Sequence, residues 1–154
     1  MSWINLYGLG VILMIMIPNI IFAAKNKDGF QNLWKNKTVE TLEQIGRFGC
    51  FILMILIIPG CGFGFASDAH FTLYLIIDAI LTAAYCLIWA ICFKKNSIFR
   101  ALALSIIPSI LFLASGILSQ YWPLLVAATI FAPCHIAISY QNAALEAKGS
   151  MPIR

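Results

Sequence analysis

The sequence predicts an all-α membrane protein, a bundle of five transmembrane helices with the N-terminus outside and the C-terminus cytoplasmic. Three observations lead there. Of the 154 residues, 62% are hydrophobic and 10% charged, against roughly 25% charged in soluble proteins. A water-soluble fold of this size has too little polar surface to cover such a chain. The uncharged stretches have the length of helices that cross a hydrocarbon core, which takes about 20 residues. All 10 Lys and Arg residues fall in alternate connections between those stretches, as they do when basic residues gather on one side of a membrane.

Trp3 to Ala24 carries no charge and forms the first span. Positive charge follows it, at Lys25 and Lys27, and none precedes it. That order marks a retained anchor, because a secretory signal carries its basic residues first. Lys25 to Arg47 mixes charge with apolar residues at helical spacing: Phe30, Leu33 and Trp34, then Leu42, Ile45 and Phe48. The pattern predicts a loop holding a short interfacial helix between spans one and two, with Trp34 at headgroup level and Lys35 and Lys37 reaching water, or a helix that runs on from there into the membrane. Thr38, followed by Glu40 and Glu43, marks a helix start, since acidic side chains favour the positive end of the helix dipole. Glu43 and Arg47, at i and i+4, predict a surface ion pair.

The second span, residues 48–66, ends in Pro59-Gly60-Cys61-Gly62-Phe63-Gly64, a string that breaks regular helix. Asp68 and His70 mark an exposed turn. The third span, 71–93, has Asp78 inside it, and Lys94, Lys95, Asn96 and Arg100 form the next connection. No charged side chain occurs between Ala101 and Leu145, too long a run for one crossing. Ser119 to Pro123 divides it into a hairpin of spans 101–119 and 123–140. Tyr121 and Trp122 suit a membrane interface, and Pro123 suits a first helical turn, where its missing N–H costs nothing. Residues 1–154 thus form a single transmembrane domain.

Five basic residues (Lys25, Lys27, Lys35, Lys37, Arg47) lie in the first connection, three (Lys94, Lys95, Arg100) in the third and two (Lys148, Arg154) in the tail, and these make up the whole count of 10. Those connections are therefore expected to be cytoplasmic, in a multi-pass protein of the cell membrane. The net charge of +4 is spread over the loops and forms no stripe suited to nucleic acid. The lipid bilayer is the expected partner. Cys50, Cys61, Cys86, Cys92 and Cys134 show no C-x-x-C spacing and predict free thiols. Ile57-Ile58-Pro59-Gly60 and Ile106-Ile107-Pro108-Ser109 resemble a short repeat, although apolar strings with one proline recur easily in this composition.

One acid inside a span costs at least about 2.5 kcal/mol by insertion scales, so Asp78 is expected to face protein, water or a ligand. Thr82 and Tyr85 follow it on the same helical face. Tyr7, Gly60 and Ser115 fall at a similar depth, and Gly60 with Gly64 offers a small-xxx-small pair. His135 falls deeper, level with Tyr85, Cys86 and Asn19, with Tyr85 placed to bridge toward Asp78. A purely structural role is open to each: Asp78 bonding Tyr7 or the backbone near Pro59, and His135 satisfying a carbonyl freed by Pro133.

No zinc-binding H-E-x-x-H, nucleophile elbow or phosphate loop is present. Asp68 with His70 lacks further metal ligands. No cofactor is implied. The sequence leads first to binding or transport of a small molecule or ion through an outward-facing pocket formed by Asp78, Thr82, Tyr85, Tyr7, Gly60, Ser115 and His135, with a homodimer or a larger membrane-protein partner completing it. The alternatives are an accessory subunit of a membrane complex, and an enzyme that acts on a lipid-like substrate with His135, Tyr85 and Cys134.

Overall fold

A computed structural model describes residues 3–26, 32–94 and 97–149. Lys27, Phe30, Lys95, Asn96 and Arg154, which carry part of the expectations above, lie outside the described residues. Five helices follow one another: α1 (Leu6–Lys25), α2 (Lys37–Ile55), α3 (Asp68–Cys92), α4 (Ile98–Leu118) and α5 (Trp122–Gly149). Four of them, α1, α3, α4 and α5, are long and apolar enough to cross a membrane. Among the described residues there is no strand, only an isolated antiparallel bridge between Ile4 and Leu56.

Local chemistry sets the helix starts. Asn5, Asn36, Ser67 and Ser97 each offer a side-chain oxygen to the N–H three residues on, satisfying a donor that the first helical turn leaves unpaired. The second helix therefore begins at Asn36 instead of Thr38. Among the described residues no separate interfacial helix precedes the second span; the helix runs on instead, unbroken from Lys37 to Ile55. It also stops early. From Leu56 the chain is extended, so residues 56–66 of the expected span are not helical, and Gly60 and Gly62 adopt φ of +81° and +84°. Pro59 lies in this irregular segment while Pro108 lies inside α4. The two similar strings thus have different backbones and are no structural repeat, and Gly60 with Gly64 makes no helical small-xxx-small pair.

The helices alternate in direction and pack in the ring order α1, α2, α5, α4, α3. One end of the ring gathers the basic residues. There Lys25 of α1 lies 5.8 Å from the Phe93 ring, and Arg100 of α4 lies 5.0 Å from the Phe22 ring. Asn142 of α5 accepts from the Leu33 and Trp34 N–H groups at 2.9 and 2.7 Å. The opposite end is closed by residues 56–67. Asn5 N–H donates to Ile55 O and Ile57 N–H to Trp3 O, while Gly64 N–H donates to Ser119 O. Tyr121 ties this cap to the α4–α5 turn: its hydroxyl accepts from Ile58 N–H at 2.9 Å and donates to Leu56 O at 3.1 Å. Burial pushes the Tyr121 phenol up, which keeps the proton this second bond uses.

Ile12, Ile15 and Phe22 of α1, Met54 of α2, Tyr85 and Trp89 of α3, Phe112 of α4 and Phe131 of α5 form the core. Large apolar residues such as Leu13, Ile17, Ile80, Leu87 and Val126 remain exposed on the outside of the ring, the pattern of helices whose outer faces meet lipid instead of water.

Candidate functional site

All five helices contribute to a cavity of about 1100 Å³ in the half of the ring nearer the basic end. Its apolar floor includes Ile15, Phe51, Leu104, Phe112 and Phe131, and its polar wall includes Asn19, Glu43, Arg47, Arg100, His135 and Asn142. On α2 the lining positions Glu40, Glu43, Gln44, Arg47 and Phe51 recur at the three- and four-residue spacing of one helical face. This is why α2 is less apolar than its neighbours: its charges look into the cavity.

Glu43 is 2% exposed, so the expected surface ion pair has a buried acid, while the Arg47 side chain remains 37% exposed. Arg47 reaches it from one turn on, donating from both Nε (2.9 Å) and Nη2 to Oε1. From α5, His135 Nδ1 donates to the same oxygen at 2.9 Å. A buried carboxylate is tolerable only when paired and hydrogen-bonded, and here three donors converge on one oxygen. With Nδ1 occupied, the imidazole nitrogen left for a ligand is Nε2, and neither it nor Glu43 Oε2 meets a hydrogen-bond partner among the described residues. Phe131 stacks on the imidazole, centroids 4.6 Å apart at 22°, and fixes its plane.

The approach of α2 to α5 depends on Gly46. A Cβ there would stand 2.8 Å from the backbone of Phe131, closer than real contacts allow. Gly8 performs the same service for α1 and α2 near the closed end, where a Cβ would fall 1.9 Å from Met54 O. Toward the basic end the two helices part. Exposed Ile20 and Ala23 of α1 and exposed Thr41, Gln44 and Ile45 of α2 line the cavity there, so it opens sideways between α1 and α2 as well as at the basic end.

On the opposite wall Asn19 Nδ2 donates to the Tyr85 hydroxyl at 2.8 Å. Pro18 leaves Met14 O without its helical donor, and Cys86 Sγ lies 3.8 Å from that oxygen. Arg100 donates to Cys92 O and Phe93 O at 3.4 Å, closing the C-terminal end of α3, and its guanidinium also lies 5.9 Å from the Trp89 ring.

The residues expected to share one outward pocket are dispersed. Of them, only Tyr85 and His135 line the large cavity. Tyr7 lines a second cavity of about 250 Å³ at the closed end, with Asn5 and Tyr74, and is edge-on to Phe71. Gly60 sits exposed in the cap. Asp78, 3% exposed, lines neither cavity; it accepts from Ser115 Oγ at 2.8 Å instead of bonding Tyr7 or the backbone near Pro59. Thr82 is buried beside it. Tyr85 bonds Asn19 and does not bridge Asp78 to His135. The five cysteines are free, and no group of three or more His, Cys, Asp or Glu side chains among the described residues is placed to hold a metal ion. Asp68 opens α3, and His70 Nδ1 lies 2.9 Å from the capping Ser67 Oγ.

What composition alone did not reveal is Glu43. The signal is its spacing: Glu43, Gly46, Cys50 and Met54 are the buried positions of α2, at steps of three, four and four, so the acid shares the helix's inward stripe. Comparison of the chain with protein-family models, with curated proteins and with solved structures finds no match.

Proposed function

We propose that the chain is a multi-pass protein of the cell membrane that crosses five times with its basic end in the cytoplasm, and that its large cavity binds an amphipathic small molecule. The observation that carries this reading is the cavity itself: a chamber of about 1100 Å³ with an apolar floor and, in its wall, Arg47 and His135 gathered on the buried carboxylate of Glu43. Ligand sites are concave and mostly apolar, with a few convergent polar groups that set orientation. Charges within a membrane occur where they face a bundle interior or a water-filled cavity, and α2 meets that condition. The sideways opening between α1 and α2 lets an apolar tail enter from the bilayer while its polar group meets Arg47, His135 Nε2 and Glu43.

Native mass spectrometry of the protein extracted in a mild detergent tests this. A bound small molecule should be retained by the wild type and lost from Leu104→Trp, which fills the chamber from its floor. If the wild type carries nothing that Leu104→Trp lacks, or carries instead a stoichiometric protein subunit, the reading fails.

A second reading rests on the orientation of His135. An imidazole whose Nδ1–H is held by a carboxylate presents Nε2 as an acceptor, the arrangement of a general base. Chemistry on a lipid-like substrate would then take place in the same chamber. Conversion of the retained molecule over time, abolished by His135→Gln while retention persists, separates catalysis from binding.

A further inference from the structure

Between the two cavities runs a line of polar side chains on the buried face of α3. Tyr74, Asp78, Thr82 and Tyr85 follow at steps of four, four and three, each about one turn, roughly 5 Å, further along the axis. The first of them belongs to the small cavity at the closed end, where Asn5 Nδ2 donates to the Tyr74 hydroxyl at 3.0 Å. The last belongs to the large cavity, where Tyr85 bonds Asn19. A buried face of a bundle-crossing helix is ordinarily apolar; this one is polar from one chamber to the other.

The middle of the line is incomplete as protein alone. Asp78 Oδ1 accepts from Ser115, but Asp78 Oδ2 and Thr82 Oγ1 are buried with no hydrogen-bond partner, although Asp78 is 3% and Thr82 6% exposed. Buried polar atoms almost always find partners, and two orphans one turn apart call for an explanation. No charged side chain pairs with Asp78 among the described residues; Ser115 faces it from α4, while Tyr74 and Thr82 flank it on α3. Glu43, Arg47 and Arg100 stand in the large cavity, on the Tyr85 side.

We propose that Asp78 is a proton-binding site, and that the Tyr74–Asp78–Thr82–Tyr85 face of α3, whose members do not bond one another directly, passes protons between the two cavities with water as the carrier between them. The carboxylate Oδ2 takes up one proton from water, becoming a neutral carboxylic acid that needs no countercharge in its buried setting; Thr82 Oγ1, one turn on, bonds neither oxygen of it directly. Release reverses the step, the proton returning to water that the polar side chains Thr82 and Tyr85, or Tyr74, guide toward one cavity or the other. A sodium ion fits less well. It needs several oxygens, and the Ser115 proton already points at Oδ1, leaving one carboxylate oxygen and one hydroxyl. This inference stands apart from whatever fills the large cavity.

The test uses the full chain, wild type, Asp78→Asn, Asp78→Glu and Thr82→Val, each confirmed monodisperse. Infrared difference spectra between acidic and alkaline buffer should contain a protonated-carboxyl C=O band in the wild type and Asp78→Glu that is missing from Asp78→Asn. In phosphatidylethanolamine–phosphatidylglycerol vesicles loaded with a pH-sensitive dye, under a potassium diffusion potential, the wild type should dissipate a pH step several-fold faster than empty vesicles. Asp78→Asn should return the rate to that of empty vesicles, and Thr82→Val should slow it several-fold. An infrared difference that is the same in wild type and Asp78→Asn, a wild-type flux no faster than empty vesicles, or stabilisation by sodium that Asp78→Asn abolishes would each overturn the proposal.

Discussion

His135 Nδ1 stands 2.9 Å from Glu43 Oε1, joining α5 to α2 across 92 residues of sequence and fixing one wall of the large cavity. Because Glu43 is buried, removing its carboxylate leaves Arg47 and His135 without their shared acceptor, while removing His135 leaves Glu43 with Arg47 alone. Breaking such a pair costs about 3 kcal/mol or more, whereas replacing it with apolar residues of similar size is often near neutral. Glu43→Gln should lower the thermal unfolding midpoint in detergent markedly, and His135→Ala should lower it less, since Arg47 still pairs with Glu43. The combined Glu43→Leu, Arg47→Leu, His135→Leu protein should recover most of the loss while retaining none of the bound molecule. Independent, additive losses in a double-mutant cycle of Glu43 and His135 would show that the contact contributes nothing.

The Gly46 approach makes a sharper packing prediction. With Phe131 backbone atoms 2.8 Å from the place a Cβ would occupy, Gly46→Ala must push α2 off α5. A cost of about 2 kcal/mol is expected, within the range for overpacking. Gly10 meets nothing within 4 Å, so Gly10→Ala should be neutral or stabilise by up to about 1 kcal/mol through helix propensity. Equal midpoints for the two alanine variants would contradict the close packing.

Four of the helices were legible because an uncharged run of about 20 residues has few other uses, and the Ser119–Pro123 turn because Pro123 and the aromatic pair announce it. The second helix was not. Lys37, Glu40, Glu43 and Arg47 read as an exposed stretch, since nothing local tells a charge facing water from one facing a chamber built by four other helices. Asp78 drew attention as a lone acid in an apolar run, yet it bonds one serine, while the acid with three donors is Glu43. Its His135 partner lies 92 positions away, a separation no periodicity spans. Helix α5 runs on past the expected span 123–140 to Gly149, because Ala143, Ala144, Leu145, Glu146 and Ala147 are all strong helix formers.

Closure of the far end depends on one hydroxyl. Tyr121 Oη bonds both Ile58 N–H and Leu56 O, and its ring meets Phe63 edge-on at 5.6 Å. Tyr121→Phe keeps the ring and removes both bonds, at a cost of about 1 to 3 kcal/mol for the stranded backbone groups. Most of that cost should appear as local opening of the cap. Cys61 within it reports this directly: its reaction with a maleimide should speed up several-fold in Tyr121→Phe while the global unfolding midpoint moves little. Unchanged labelling would mean that the cap is held by other contacts.

The number of crossings turns on α2, which carries four charges yet runs the length of the bundle from the basic end to the cap. Its charges cost little within a bilayer if the chamber they line holds water, so α2 should cross. Single cysteines at Lys35, Ala69 and Ala147, in a background with the native cysteines replaced, decide the matter with a membrane-impermeant maleimide. Five crossings with the basic end inside, the arrangement positive residues favour, place Ala69→Cys outside and the other two inside, labelled only after permeabilisation. If α2 lay on the surface instead, Lys35→Cys and Ala69→Cys would share a side and Ala147→Cys would face the other. The chamber would then no longer be walled on its α2 side within the membrane, and Glu43 would sit where water solvates it and its pairing with Arg47 contributes little.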